Sequence, residues 1–248
     1  MKLYLLIILI LLLGYLFLQY KKKDGFTGER LDVAVIVEPR EHEFLVPVVN
    51  NIIDNVPEYT KIQIFHGTKN LDYIKKHFDN LIKSNKIILT NLNVENLTIN
   101  DYNLLLTSSD FWNKINKENI LIFQTDSCMC SKSSNKIEEF LKYDYVGAPW
   151  KHLPDMNGGN GGFSLRKKSK MLEIISKNNY NNENEDVYFS KYSTNTPNRD
   201  LSKKFSVEGI YYDFPIGIHK PWVKNHLSKK DLNKLKHNCP EISSIFNN

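Results

Sequence analysis

The run Ile120-Leu-Ile-Phe-Gln-Thr-Asp-Ser127 is followed by Asp144-Tyr-Val-Gly-Ala-Pro-Trp150 and by Asn157-Gly-Gly-Asn-Gly-Gly-Phe-Ser-Leu-Arg166. Residues 120–123 are apolar, rich in β-formers and flanked by polar positions, the pattern of a strand buried on both faces. Asp126 falls just beyond the C-terminal end of that strand. In open α/β sheets ligands collect in the crevice outside the carboxyl ends of the strands, so a carboxylate there is placed to meet a metal or a polar substrate; Asp is also an ordinary turn or cap residue. Gly158, Gly159, Gly161 and Gly162 lie within five positions. They give up side-chain packing and cost backbone entropy unless positive φ or a close approach requires them. Phe163-Ser-Leu-Arg166 resumes strand-like alternation at once, so the glycines read as a structured elbow.

Working outward, 248 residues with 41% hydrophobic and 12% aromatic content suffice for one domain with a full core and leave no room for a second large one. The formal net charge of +5 is spread along the chain, and no basic run is interleaved with aromatics, so no nucleic-acid partner is expected. Cys128, Cys130 and Cys239 are odd in number and lack the paired spacing of a zinc site or a disulfide framework, which reads as reduced thiols.

Residues 3–20 are almost wholly apolar. About 18 helical residues at roughly 1.5 Å each span about 27 Å, close to the hydrocarbon core of a bilayer. The run passes straight into Lys21-Lys22-Lys23 with no small-residue cleavage site. Residues 1–23 are therefore expected to be one N-terminal transmembrane helix with a basic flank, 24–31 a linker and 32–248 a single catalytic domain. The lysines bias that domain of a single-pass membrane protein towards the cytosol; in the alternative, luminal orientation Asn96-Leu-Thr98 would be a glycosylation sequon.

Within the domain, residues 33–37 form a β-branched run fit for a central parallel strand, and Glu38-Pro39-Arg40 follows where a loop carries polar groups into the crevice. Helices are expected over 44–56, 71–78 and 102–111, and strands over 62–65 and 87–89. This alternation argues for βαβ units and a mostly parallel sheet. Residues 135–141 read as a short helix and 168–177 as an amphipathic one. Glu183-Asn-Glu-Asp-Val-Tyr-Phe189 opens a further helix, with acidic residues in the first turn where the macrodipole favours them. Residues 217–222 read as a loop holding an isolated His219, and Ser228-Lys-Lys-Asp231 has the form of a capping box.

In order, a strand-end Asp, a glycine elbow, a Glu-Asp pair opening a helix and a late His resemble the four core elements of GT-A-fold glycosyltransferases: the Asp-x-Asp motif, the glycine loop, the x-Glu-Asp motif and a C-terminal metal-binding His. Phe123-Gln-Thr-Asp-Ser127, Tyr143-Asp-Tyr-Val-Gly-Ala-Pro-Trp150, Gly159-Asn-Gly-Gly-Phe-Ser-Leu-Arg166, Glu185-Asp-Val-Tyr-Phe189 and Gly217-Ile-His-Lys220 more closely resemble an uncharacterised glycosyltransferase-like family of giant viruses, bacteria and fungi. The resemblance implies an α/β, GT-A-like (nucleotide-diphospho-sugar transferase) fold, with a Rossmann-like mixed, mostly parallel sheet flanked by helices.

It also implies roles. A departing nucleoside diphosphate needs its charge stabilised, and Mn²⁺ or Mg²⁺, which take hard oxygen ligands with an occasional imidazole, would be held by Asp126 and His219. Gln124 stands where the first Asp of Asp-x-Asp would be and would hydrogen-bond a ribose or sugar hydroxyl beside Thr125. Glu38 and Arg40 would lie near the nucleotide. Asp186 would be the general base that takes the acceptor proton in an inverting transfer, with Glu185 as its catalytic neighbour or as a helix-terminus carboxylate. Gly159, Asn160, Gly161 and Gly162 would bring backbone close to sugar and acceptor, and Trp150 would be either a sugar platform or a core or lid aromatic.

The chain is thus expected to be a membrane-anchored, metal-dependent glycosyltransferase moving a sugar from a nucleotide-sugar donor to a hydroxyl of a glycan, protein or lipid. Two rivals stay open. One is a catalytically silent carbohydrate- or nucleotide-binding module of the same fold, motivated by Gln124. The other is a structural membrane protein of a virion, in which the carboxylates and glycines would be incidental.

Overall fold

The computed structural model describes residues 30–246. Strand β1 (Val33–Val37) is buried at every position and pairs in parallel with β2 (Lys61–His66) on one side and β4 (Asn119–Phe123) on the other. Beyond β2 lies β3 (Ile87–Asn91), also parallel. Beyond β4 lie β7 (Asn160–Lys167) and then β6 (Tyr145–Ala148), each antiparallel to its neighbour, so β7 alone runs against the rest of the β3-β2-β1-β4-β7-β6 sheet.

Alternation along β1 sends Val33, Val35 and Val37 into one apolar cluster and Ala34 and Ile36 into another. The second cluster is covered by α1 (Leu45–Asn55) and α2 (Leu71–Lys83). The first is covered by α3 (Ile99–Leu106), α4 (Ser109–Asn113), α5 (Lys168–Lys177) and α6 (Glu185–Tyr192). A sheet buried on both faces explains why its strands read as continuous apolar runs. The helix expected over 102–111 is two helices. Thr107 Oγ turns back to the Asn103 carbonyl at 2.7 Å, and Ser108 restarts the chain as an N-cap that accepts from the Asp110 amide. The 135–141 helix contracts to a 3₁₀ turn, Ile137–Phe140.

A small second sheet stands at the carboxyl end of β4. It is built from β5 (Ser127–Met129), β9 (Gly217–His219) and β8 (Ser206–Val207), in the order β5-β9-β8. Residues 217–219 are therefore a strand and not the expected loop. Three residues are too few to show periodicity, and their partners lie far away in the chain. After α7 (Arg199–Phe205), the chain closes with α8 (Lys229–Asn238) and α9 (Glu241–Phe246). Ser228 caps α8 by accepting from the Asp231 amide.

Two expectations are corrected. Cys130 and Cys239 form a disulfide across a separation of 109 residues, and Cys128 is a buried free thiol. The fold, through the end of β5 and the end of α8, makes this pairing, so no local spacing announces it. Among the described residues no helix is long and apolar enough to cross a membrane, which overturns the single-pass assignment. The run 3–20 on which it was based, and residues 1–23 as a whole, lie outside the described residues.

Candidate active site

Antiparallel pairing sets His219 opposite Ser127, which draws the imidazole towards Asp126 in the turn between β4 and β5. His219 Nε2 lies 3.1 Å from Asp126 Oδ1, and its Nδ1 lies 3.2 Å from Glu208 Oε1. The first contact is short enough for an ion pair but is not aligned as a hydrogen bond. Asp126 Oδ1 and His219 Nε2 are both buried, and neither has a hydrogen-bond partner among the described residues. Burial works against the charged imidazole, yet the flanking carboxylates raise its pKa. Burial also disfavours ionised Asp126, but His219 and Lys220 hold it below the ordinary carboxylate range. With Glu208 accepting the Nδ1 proton, the Nε2 lone pair faces a carboxylate oxygen. One hard oxygen and one imidazole nitrogen, oriented by an outer carboxylate, fit a divalent cation shared between them.

The glycine elbow is shaped by these same side chains. A Cβ on Gly162 would collide with the His219 imidazole, and one on Gly161 would collide with the Glu185 carboxylate and the Arg166 guanidinium. Gly159, at φ +110°, donates its amide to Ser190 Oγ at 3.2 Å and accepts from the Tyr145 hydroxyl at 2.9 Å. At these positions the glycines allow close approach of the protein's own groups. Asn160 Oδ1 accepts from the Gly162 amide at 2.8 Å and lines the larger cavity described below.

Glu185 and Asp186 are adjacent at the start of α6 but lie in different surroundings. Arg166, fully buried on β7, donates Nη1 and Nη2 to the two oxygens of Glu185 at 2.5 and 3.0 Å. The Arg166 guanidinium lies 4.9 Å from the Tyr145 ring centroid and 5.5 Å from that of Phe189. Glu185, in the first turn of α6, is held in this ion pair. Asp186 accepts from the Gly161 amide at 3.1 Å and from the Val187 amide at 2.8 Å. Burial, followed by the charge of Glu185, pushes its carboxyl up to about 6.

Two cavities flank this cluster. One of about 530 Å³ is lined by Trp150, Asn160, Asp186, Glu208, Lys220 and His226 among others. The other, of about 330 Å³, is lined by Glu38, Arg40, Gln124, Thr125, Asp126 and Lys220 among others. Lys220, at φ +32°, borders both. Glu38 holds Arg40 through Oε1 and Oε2 at 2.8 and 2.9 Å. Asn70 fastens that loop by donating to the carbonyls of Glu38 and Arg40 at 2.8 and 2.9 Å. Trp150, 4% exposed, is a wall of its cavity. The sequence-chosen residues thus separate into Glu38, Arg40, Gln124 and Thr125 on one side and Trp150, Asn160 and Asp186 on the other, with Asp126 and His219 near the junction. Sequence reasoning missed Glu208 and Lys220. A carboxylate following the strand-like Phe205-Ser-Val207 was the available signal for Glu208.

The fold, a mostly parallel central sheet flanked by helices, resembles that of GT-A-type glycosyltransferases. The glycosyltransferase GlyE of Streptococcus pneumoniae TIGR4 is similar at a TM-score of 0.51 and 10% identity, over 89% of this chain and 63% of that one. An active-site mutant of LgtC is similar at a TM-score of 0.50 and 11% identity, over 86% of this chain and 96% of that one. The chain thus spans under two thirds of the GlyE structure, and at such identities the likeness establishes the fold alone. Residues 86–219, more than half of the chain, match the family described as "Protein of unknown function (DUF5672)", and the chain belongs to that family. No curated protein matches it.

Proposed function

We propose that the protein is a metal-dependent glycosyltransferase that moves a sugar from a nucleotide-sugar donor to a hydroxyl of a glycan, protein or lipid acceptor, with inversion at the anomeric carbon. The observation that carries this reading is the pair of Asp126 Oδ1 and His219 Nε2, without a hydrogen-bond partner among the described residues and buried near the junction of two cavities. The smaller cavity is assigned to the nucleotide, with Arg40 oriented by Glu38, and Gln124 and Thr125 offering hydrogen bonds. Asp126 and His219 would hold Mn²⁺ or Mg²⁺, with Glu208 fixing the imidazole. When bound, such an ion supplies Lewis-acid stabilisation of charge on the diphosphate. Lys220 contributes a further positive charge between the cavities.

The larger cavity is assigned to the acceptor. Asp186 accepts the proton of the attacking hydroxyl at a carboxylate oxygen, and its raised pKa brings its basicity nearer to neutral pH. Trp150 shields that cavity from water on one side. Incubation of the full-length protein with nucleotide sugars and Mn²⁺ should release nucleoside diphosphate, and the product should carry the inverted anomer. Asp186→Asn should still bind donor while turnover falls about 10²- to 10⁴-fold. Transfer at the parent rate in that variant sinks the base assignment, and retention of configuration sinks the inverting step. Gln124, where an acidic residue would stand, favours a second reading as a silent binding module; saturable donor binding with no diphosphate release under any acceptor would establish it.

A further inference from the structure

Cys130, Cys239 and Glu241 meet where the C-terminal helices pack on β5. Cys130 directly follows β5, Cys239 caps the end of α8 and Glu241 opens α9. One ligand atom from each lies within 4.8 Å of the other two. The sulfurs are joined as a disulfide, but that bond does not account for Glu241. Its Oε1 accepts from the Ser131 amide at 3.2 Å, whereas its Oε2 is buried with no hydrogen-bond partner among the described residues. A buried carboxylate oxygen left unsatisfied is costly, and an oxidised sulfur pair has no proton to give it.

Reduced, the same three groups become two thiolates and a carboxylate. With the S–S bond broken the sulfurs are free to part, and Glu241 already lies within 4.8 Å of both, within reach of the roughly 3.5–4 Å between ligands that sit about 2.0–2.3 Å from one tetrahedral zinc ion. Thiolate softness selects zinc over magnesium or calcium. A cavity of about 370 Å³, bordered by Cys130, Ser131 and Asn135, gives a reductant and an ion a route to Cys130 and a place for a water as fourth ligand.

We propose that Cys130, Cys239 and Glu241 form a zinc site that the disulfide closes and reduction opens. A dithiol reductant attacks the Cys130–Cys239 bond by exchange. It transfers two electrons and two protons to the sulfurs and leaves as its own disulfide. Zn²⁺ then displaces the two thiol protons to solvent and binds both thiolates and the Glu241 carboxylate. In either state α8 and α9 stay tied to β5, the strand that pairs with the His219 strand. The site thus keeps its tether under oxidising and reducing conditions alike. This inference is independent of the proposed sugar transfer.

The test uses the full-length protein and Co²⁺ as a coloured stand-in for zinc. After dithiol reduction and removal of the reductant, Co²⁺ should produce a thiolate-to-cobalt charge-transfer band that saturates at a single ion per chain, and Zn²⁺ should bleach it. Unreduced protein should show no such band. Cys239→Ser should lose it, and Glu241→Gln should keep it with Co²⁺ affinity reduced at least about tenfold. Asp126→Ala should leave it unchanged, because a carboxylate–imidazole site gives no thiolate band. No band in the reduced parent protein, an equal band in Cys239→Ser, or unaltered affinity in Glu241→Gln overturns the proposal. The comparison of oxidised with reduced parent protein requires no variant to fold.

Discussion

The Arg166–Glu185 and Asp126–His219–Glu208 charge centres differ in what they leave over. In the Arg166–Glu185 centre both carboxylate oxygens receive a guanidinium donor, and aromatic rings pack around the arginine. In the Asp126–His219–Glu208 centre, an oxygen and a nitrogen lie 3.1 Å apart with no hydrogen bond to either among the described residues. Low dielectric makes an unpaired buried group costly, so complete satisfaction marks the first centre as architecture. The leftover lone pairs of the second are what support the metal-binding role proposed for it. Asp186 stands between the two cases. It neighbours Glu185 in the chain, and its carboxyl is held by two backbone amides.

The largest expected effect breaks the second centre. Asp126→Ala should reduce transfer by about 10³-fold or more, because charge stabilisation by a bound cation contributes several kcal/mol. The same change should abolish the extra melting-temperature gain that Mn²⁺ adds to nucleoside diphosphate, a gain that reflects ligand bound only by the native state. An undiminished metal response would return Asp126 to the status of a turn residue.

Breaking the first centre should act on folding instead. Glu185→Gln leaves Arg166 buried without its countercharge, and removing one partner of such a pair costs about 3–5 kcal/mol. Denaturant melts of parent and variant measure that loss. Well below its own melting point the variant should still respond to Mn²⁺ with nucleotide. If stability is untouched while metal binding disappears, the two centres have been assigned the wrong way round. A smaller effect sharpens the comparison: Glu208→Gln leaves both direct ligands in place but weakens imidazole orientation, so Mn²⁺ affinity should fall about 10- to 100-fold, as calorimetry can measure.

The difference between the centres also explains what could be read from the sequence. Strands β1 and β4 and helix α5 were legible because burial on both sheet faces, or on one helix face, imprints a local period. Asp126, His219, Glu185 and Asp186 were nameable through the resemblance of their order in the chain to the glycosyltransferase motifs. Their partnerships were not, because Arg166 meets Glu185 through the register of β7 against β4, and Glu208 meets His219 through a sheet of two- and three-residue strands. The disulfide was hidden for the same reason, with 109 residues between its cysteines. Short strands carry too little pattern to announce themselves, and in this fold they bring His219 to Asp126.

The smallest effect expected is a pH dependence, and it tests whether Asp186 belongs with the working centre. A general base acts deprotonated, so with its carboxyl pushed up to about 6 the transfer rate should fall roughly tenfold per unit below that value and level off above it. An ordinary aspartate near 3.9 would leave the rate flat between about pH 5 and 7. The sign for stability runs the other way. The native state holds this proton more tightly than the unfolded chain between about 3.9 and 6, so stability declines as pH rises through that window, and the full cost is present above it. Asp186→Asn removes that cost, and its melting temperature relative to the parent should therefore be more favourable at about pH 7.5 than at about pH 5. Glu185 contributes to the upward push, so in Glu185→Gln the inflection of the rate profile should move to lower pH. If the inflection stays where it is in Asp186→Asn, and the melting-temperature gap is equal at both pH values, the titrating group is another residue and Asp186 belongs with the architecture.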